Sequence, residues 1–175
     1  MRRRHPLPRL WLMTDERMGD KLWDALERLP RGSGVVFRHY RLSLAERRAL
    51  FARVLKVARR RGLVLLRAGG VPMRGEMGIH GVRGHGLRTA PAHDRREAIA
   101  AIRAGADALF VSPAFPTRSH PGARALGRVR FGMLVRGLGV PVIALGGMDA
   151  RRAKSLRAFG IHGWAAIDAW TKASS

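Results

Sequence analysis

Short apolar runs bounded by Gly, Pro and polar residues recur eight times along this 175-residue chain, and most are separated by a stretch with helical periodicity. The first run lies within 9–15, and Leu22, Trp23, Leu26 and Leu29 follow it at helical spacing. A second run covers 35–40, and Ser43 with Glu46 forms a capping box at the start of a helix predicted over 44–61. A third strand is predicted over 62–67. Residues 68–77 hold too much Gly and Pro for more than a turn of helix, and short strands are expected over 78–82 and 86–90. Asp94 then heads a helix over 95–104, stopped by Gly105. The rhythm continues with a strand over 107–111, a helix over 128–138, a strand over 140–145, a helix over 149–159 stopped by Gly160, and a strand over 161–168.

Strands alternating with helices in this way make parallel βαβ units, and eight of them favour a closed (β/α)8 TIM barrel over an open sheet. Such barrels typically take about 250 residues and rarely fewer than about 200. This one must therefore be trimmed, around the third and fourth crossovers and at the C-terminus, where only 169–175 remain for a final helix. One domain over 1–175 is expected, since 46% apolar residues suffice for a sizeable core.

The absence of cysteine excludes disulfides, thiolate metal sites and a Cys nucleophile. Without a run of roughly 18 uncharged apolar residues, no membrane helix is expected, and the start of the chain lacks the apolar stretch of a secretory signal. These features agree with a cytoplasmic protein. The net charge of +22 invites an anionic partner. Yet only four of the 34 basic residues are Lys, the basic residues are spread along the chain, and there is no basic stripe with an aromatic stacking platform. That pattern argues against nucleic acid as the partner. Self-association is left open.

Chemistry is best sought at two strand ends. The run over 107–111 opens into Pro113, Phe115, Pro116 and Thr117, and the run over 140–145 ends directly in Gly146-Gly147-Met148. A glycine pair between strand and helix lets the backbone approach a ligand closely, and the next helix would aim its free N–H groups at the same place. The guest such a loop suits is a phosphate. Of the histidines, His5, His39, His80, His85 and His162 have no metal-binding spacing and read as structural or exposed. Trp11, Trp23, Trp164 and Trp170 fall on strands or a helix face and read as core.

The stretch 105–117, the pairs Pro121-Gly122 and Leu126-Gly127, the segment 141–148 and the closing 160–167 resemble the thiamine phosphate synthase/TenI family of barrels. Upstream, Leu12-Met-Thr-Asp15 resembles the family's first strand, Phe37-Arg38 its second, Gly78-Ile-His80 its fourth, and Ala92-His93 the segment opening its fifth helix. The resemblance implies thiamine biosynthesis, with a pyrimidine transferred from its diphosphate to a thiazole phosphate and pyrophosphate released. It implies that Thr117, Ser119 and His120 form a substrate loop, that Gly146, Gly147, Ile167 and Asp168 hold the thiazole phosphate, and that Arg38 meets the diphosphate.

The resemblance also implies Mg²⁺, but the family's metal-binding carboxylates have no counterpart after the third and fourth strands, and Glu76 is the only acid between residues 47 and 93. Pyrimidine transfer is expected to be impaired. Arg67, at a strand end, could replace the metal's charge by meeting a phosphate directly. The family's second activity, a TenI-type thiazole tautomerase, needs a phosphate site and one proton-transferring residue, and His93 matches the tautomerase histidine. A third alternative is a phosphate-ligand binder or regulator without catalysis. Asp168 favours it, because a carboxylate facing the phosphate would repel it.

Overall fold

The computed structural model describes residues 6–117, 122 and 124–170. Eight parallel strands, β1 (Leu10–Met13), β2 (Gly34–Phe37), β3 (Val64–Ala68), β4 (Gly78–His80), β5 (Leu87–Ala92), β6 (Ala108–Val111), β7 (Val142–Leu145) and β8 (Gly163–Ala166), close into a barrel in chain order. Closure is made by β1 against β8, with Trp11 opposite Ala165. The (β/α)8 expectation therefore holds, and no helix among the described residues is long and apolar enough to cross a membrane.

Alternation along the strands sorts the core. Trp11, Met13, Val36, Leu66, Phe110, Ile143 and Ala165 form one buried cluster inside the barrel. Their neighbours Leu12, Val35, Phe37 and Leu65 pack outward against α1 (Lys21–Arg28) and α2 (Leu44–Arg61). On the other side Leu109, Val111 and Ala144 pack against α3 (Arg95–Arg103), α4 (Gly127–Val135) and α5 (Ala150–Leu156). The capping box of Ser43 and Glu46 forms as expected, and Gly62 closes α2 in the left-handed conformation at φ 65°. The largest side chain inside the barrel dictates its neighbour. A Cβ on Gly34 would run into the Trp11 indole, so β2 can approach β1 only with glycine there.

β2 stops at Phe37, short of the predicted 40, because the Arg38 N–H turns to donate to Thr14 Oγ1 at 3.0 Å. Tyr40 is left outside the barrel and exposed. The helix predicted over 149–159 is a seven-residue α5 followed by a 3-10 turn over Arg157–Phe159.

No helix spans the third or fourth crossover, as their composition predicts. An ion pair covers the barrel flank instead. Arg67, 2% exposed, donates from Nε to Glu76 Oε2 at 2.6 Å and from Nη2 to Glu76 Oε1 at 3.1 Å, while Nη1 donates to the Gly69 carbonyl. Glu76 also accepts the Met73 N–H at 2.8 Å. The guanidinium is thus committed within the protein, which overturns the expectation that Arg67 is turned toward a phosphate. Arg47 is a second buried cation, stabilised by a hydrogen bond to the Ala68 carbonyl and by the rings of Phe37 and Tyr40, each 5.7 Å away.

After β8 the described residues make a 3-10 turn, Asp168–Trp170. The Trp170 indole donates to the Trp11 carbonyl at 3.2 Å and stacks on Trp164 with ring centroids 5.3 Å apart.

Candidate functional site

The loops that follow β6 and β7 are joined by two backbone bonds. Ala114 N–H donates to the Leu145 carbonyl at 2.8 Å, and Phe115 N–H to the Gly146 carbonyl at 3.1 Å. Glycine is required at both positions of the pair: a Cβ on Gly146 would lie 2.8 Å from Pro113 Cα, and one on Gly147, at φ +58°, would strike the Pro116 carbonyl. Sequence and packing together therefore press the two loops into one wall.

That wall borders a cavity of about 890 Å³ at the C-terminal ends of the strands. Arg38, His93, Thr117, Gly146, Gly147, Ile167 and Asp168 all line it. Ser119 and His120 lie outside the described residues. The cavity continues over the β8 flank to Trp164 and Trp170. Both indoles are half-buried cavity walls, whereas Trp11 is fully buried and Trp23 packs at the core edge beneath Arg53. Sequence patterning alone does not separate these two kinds of tryptophan, because the final turn that brings Trp170 onto Trp164 has no periodic signature.

Arg38 enters from the β2 side. Its Nε donates to the Thr14 carbonyl at 3.1 Å and its Nη2 lies 3.7 Å from Asp15 Oδ2. Burial lowers its pKa, and the nearby Asp15 charge opposes that shift. Asp15 is held down to about 2, chiefly by its hydrogen bond from Arg17. Behind Arg38, His39 is buried against Phe37 and meets Thr14 Oγ1 at 3.1 Å.

His80 occupies the barrel interior beside Phe110, with Nδ1 2.9 Å from Thr89 Oγ1. The Thr89 hydroxyl donates to the Ile79 carbonyl, so His80 must be the Nδ1–H tautomer. Burial, with a smaller contribution from Arg38, lowers its pKa to about 4. His162 meets the Leu7 carbonyl at 3.0 Å, and His85 is exposed.

His93 stands at the cavity edge just before α3. Asp94 caps the helix by accepting the Glu97 N–H at 2.8 Å, and Glu97 Oε2 reaches back to the His93 N–H and to its ring Nδ1, each at 2.8 Å. An ionised carboxylate only accepts, so Nδ1 carries the proton and Nε2 is the basic nitrogen.

The N–H groups opening α5 are not all open to a ligand, because Asp149 Oδ1 accepts the Arg152 N–H at 2.8 Å. The Arg152 side chain, which sequence patterning did not single out, instead lines the cavity beside Gly147. Asp149 and Asp168 line it too, as two carboxylates. Among the described residues no group of three or more His, Asp or Glu side chains is placed to hold a metal ion.

Residues 89–170 match the family model for thiamine monophosphate synthase. The thiamine-phosphate synthase of Geobacillus kaustophilus is 38% identical over 90 residues, 48% of this chain and 39% of that protein. That of Salinispora tropica is 39% identical over 84 residues, 47% of this chain and 40% of that protein. The matched segment thus spans about two fifths of these curated relatives. In fold the likeness is wider. A thiamine phosphate pyrophosphorylase from Pyrococcus furiosus superposes with a TM-score of 0.80 over 95% of this chain and 88% of its own, at 21% identity. That of Bacteroides thetaiotaomicron gives 0.60 over 96% and 87%, at 18% identity. The likeness in sequence to the thiamine monophosphate synthase family is thus carried by residues 89–170, which include β6 to β8 and the loops of the cavity wall, while the barrel is shared throughout.

Proposed function

We propose that the cavity takes a thiazole phosphate, with the phosphoryl oxygens at Gly146-Gly147 and the Ile167-Asp168 backbone, and that the chain serves thiamine biosynthesis as a thiamine phosphate synthase-type protein. One observation carries this reading: Arg38, Thr117, Gly146 and Gly147, drawn from three distant parts of the chain, border a single space. Among the described residues, the N–H groups of Gly146, Gly147 and Ile167 donate to no carbonyl. Backbone donors of that kind suit a phosphoryl oxyanion, and Arg38 adds a cation from the side where a pyrimidine diphosphate would lie.

The described residues fit a phosphate ester better than a metal-bound diphosphate. Mg²⁺ prefers several carboxylate oxygens, and although Asp149 and Asp168 line the cavity, no third acid or His joins them in a metal-holding group among the described residues, while Asp15 is engaged by Arg17 and Arg38 and Glu76 by Arg67. Pyrimidine transfer would therefore rely on cationic side chains and backbone donors for the departing pyrophosphate.

The Glu97 contact favours a second reading, tautomerisation of a thiazole carboxylate phosphate. With Nδ1–H fixed on Glu97, Nε2 of His93 is available to take a proton from the ring and return it.

Calorimetric titration of the full chain with thiazole phosphate and with pyrophosphate, each with Mg²⁺ and with EDTA, tests the proposal. Saturable binding of thiazole phosphate is expected, and its absence in every condition rejects the reading. Metal-dependent pyrophosphate binding would favour the synthase. For the tautomerase, His93→Asn should cut turnover about 100-fold or more while leaving thiazole phosphate affinity within about two-fold. A wild-type chain that binds but turns over nothing would be a binder.

A further inference from the structure

We infer that the Arg152 guanidinium is the cation that meets the phosphoryl group in this cavity, an assignment that rests on reading the Gly146-Gly147 end as a phosphate site. Arg152 belongs to the first turn of α5 and lines the cavity. Its guanidinium is held at two points. Nη1 donates to the Gly147 carbonyl, and the guanidinium carbon lies 5.2 Å from the centroid of the Phe115 ring. These contacts come from the two loops that are bonded to each other, so the plane of the group is set by the same wall that presents the glycine amides. Gly147 makes the approach possible, since a Cβ there would lie 3.0 Å from Nη1.

Among the described residues, no carboxylate pairs with this guanidinium. Asp149, its nearest acidic neighbour in sequence, accepts the Arg152 backbone N–H instead. The other cations near the strand ends are differently placed: Arg38 is tied to Thr14 and Asp15, and Arg67 is closed off by Glu76. Because Asp149 lines the cavity beside the Gly146-Gly147 loop, a phosphate dianion entering it needs a compensating positive charge. Arg152 supplies it in a pre-ordered form, with Nε and Nη2 left to donate, so little side-chain freedom is lost on binding. The site thereby selects a phosphate monoester over the corresponding alcohol.

The test compares thiazole phosphate with its dephosphorylated alcohol, titrated into the full chain and into R152Q, R152K and R48Q. Arg48 is exposed on α2 and controls for loss of one positive charge. In R152Q the preference for phosphate over alcohol should fall at least ten-fold, with alcohol affinity unchanged. R48Q should retain the preference, and R152K should retain part of it because an ammonium keeps the charge without the planar contact. A purely structural role for Arg152 would lower both affinities together and leave their ratio intact, which overturns the inference. So does an R152Q chain that binds thiazole phosphate as the wild type does, and that result leaves the phosphate site itself standing. A wild-type chain that binds no thiazole phosphate refutes the site and this assignment together.

Discussion

Gly34 and Trp11 form a lock whose two halves cannot be exchanged. The indole lies fully buried across the pleat of β2, in the volume that any Cβ at position 34 would need. Gly34→Ala should therefore destabilise the fold by about 1–3 kcal/mol, the usual cost of forcing extra volume into a packed core. Urea denaturation would measure the loss. Shortening the partner as well, in Trp11→Leu/Gly34→Ala, should cost less than the two single changes summed, since each relieves the other. The cavity shows the same dependence of one residue on another. His93 could be picked out from its resemblance to the family's tautomerase histidine, but Glu97 reads in the sequence only as a helix-start acid. Its second role, turning the imidazole, becomes visible when the 2.8 Å contact to Nδ1 is seen. Arg152 was hidden for a related reason: an Arg on a short, strongly basic helix looks like solvated surface until the Phe115 ring is found beneath it.

At the level of elements, the eight strands were legible because each is a brief apolar run between glycines and polar residues, and all eight pair in chain order. The helix starts at Ser43, Asp94 and Asp149 were legible too, since each carries a side-chain oxygen that accepts the N–H three residues on. Strand ends were less so. What stops β2 at Phe37 is a hydroxyl just past the end of β1, that of Thr14, a long-range partner that no local pattern announces. Equally hidden was the way the third crossover covers its strands. Composition shows that no more than a turn of helix can form over 68–77, but not that Arg67 and Glu76 seal the flank. Glu76→Gln should be strongly destabilising, by about 3–5 kcal/mol, because it leaves a buried guanidinium without its counter-charge. The double change Arg67→Met/Glu76→Leu, which removes both charges, should recover most of that stability in the same denaturation experiment.

For the molecule as a whole, acid should be the damaging direction. His80 is buried and its pKa is lowered to about 4 from the ordinary histidine value of about 6.5, so the unfolded chain binds a proton that the folded chain refuses. Between those two values stability must fall as pH falls, by up to about 3 kcal/mol if His80 acts alone. Asp15, held at about 2, adds a further loss below the ordinary aspartate value of about 3.8, where the unfolded carboxyl gains its proton first. Thermal unfolding followed from pH 7 to pH 4 should show the decline, and His80→Gln should flatten it. A slope unchanged by that substitution would assign the acid sensitivity to other groups.

The bonds from Ala114 to Leu145 and from Phe115 to Gly146 have a mechanical consequence. Two segments some thirty positions apart in the chain behave as a single rigid jaw, so neither can be re-aimed without dragging the other. A change beneath Phe115 is therefore felt at Gly147, and engineering of guest preference at one of these loops has to redesign both.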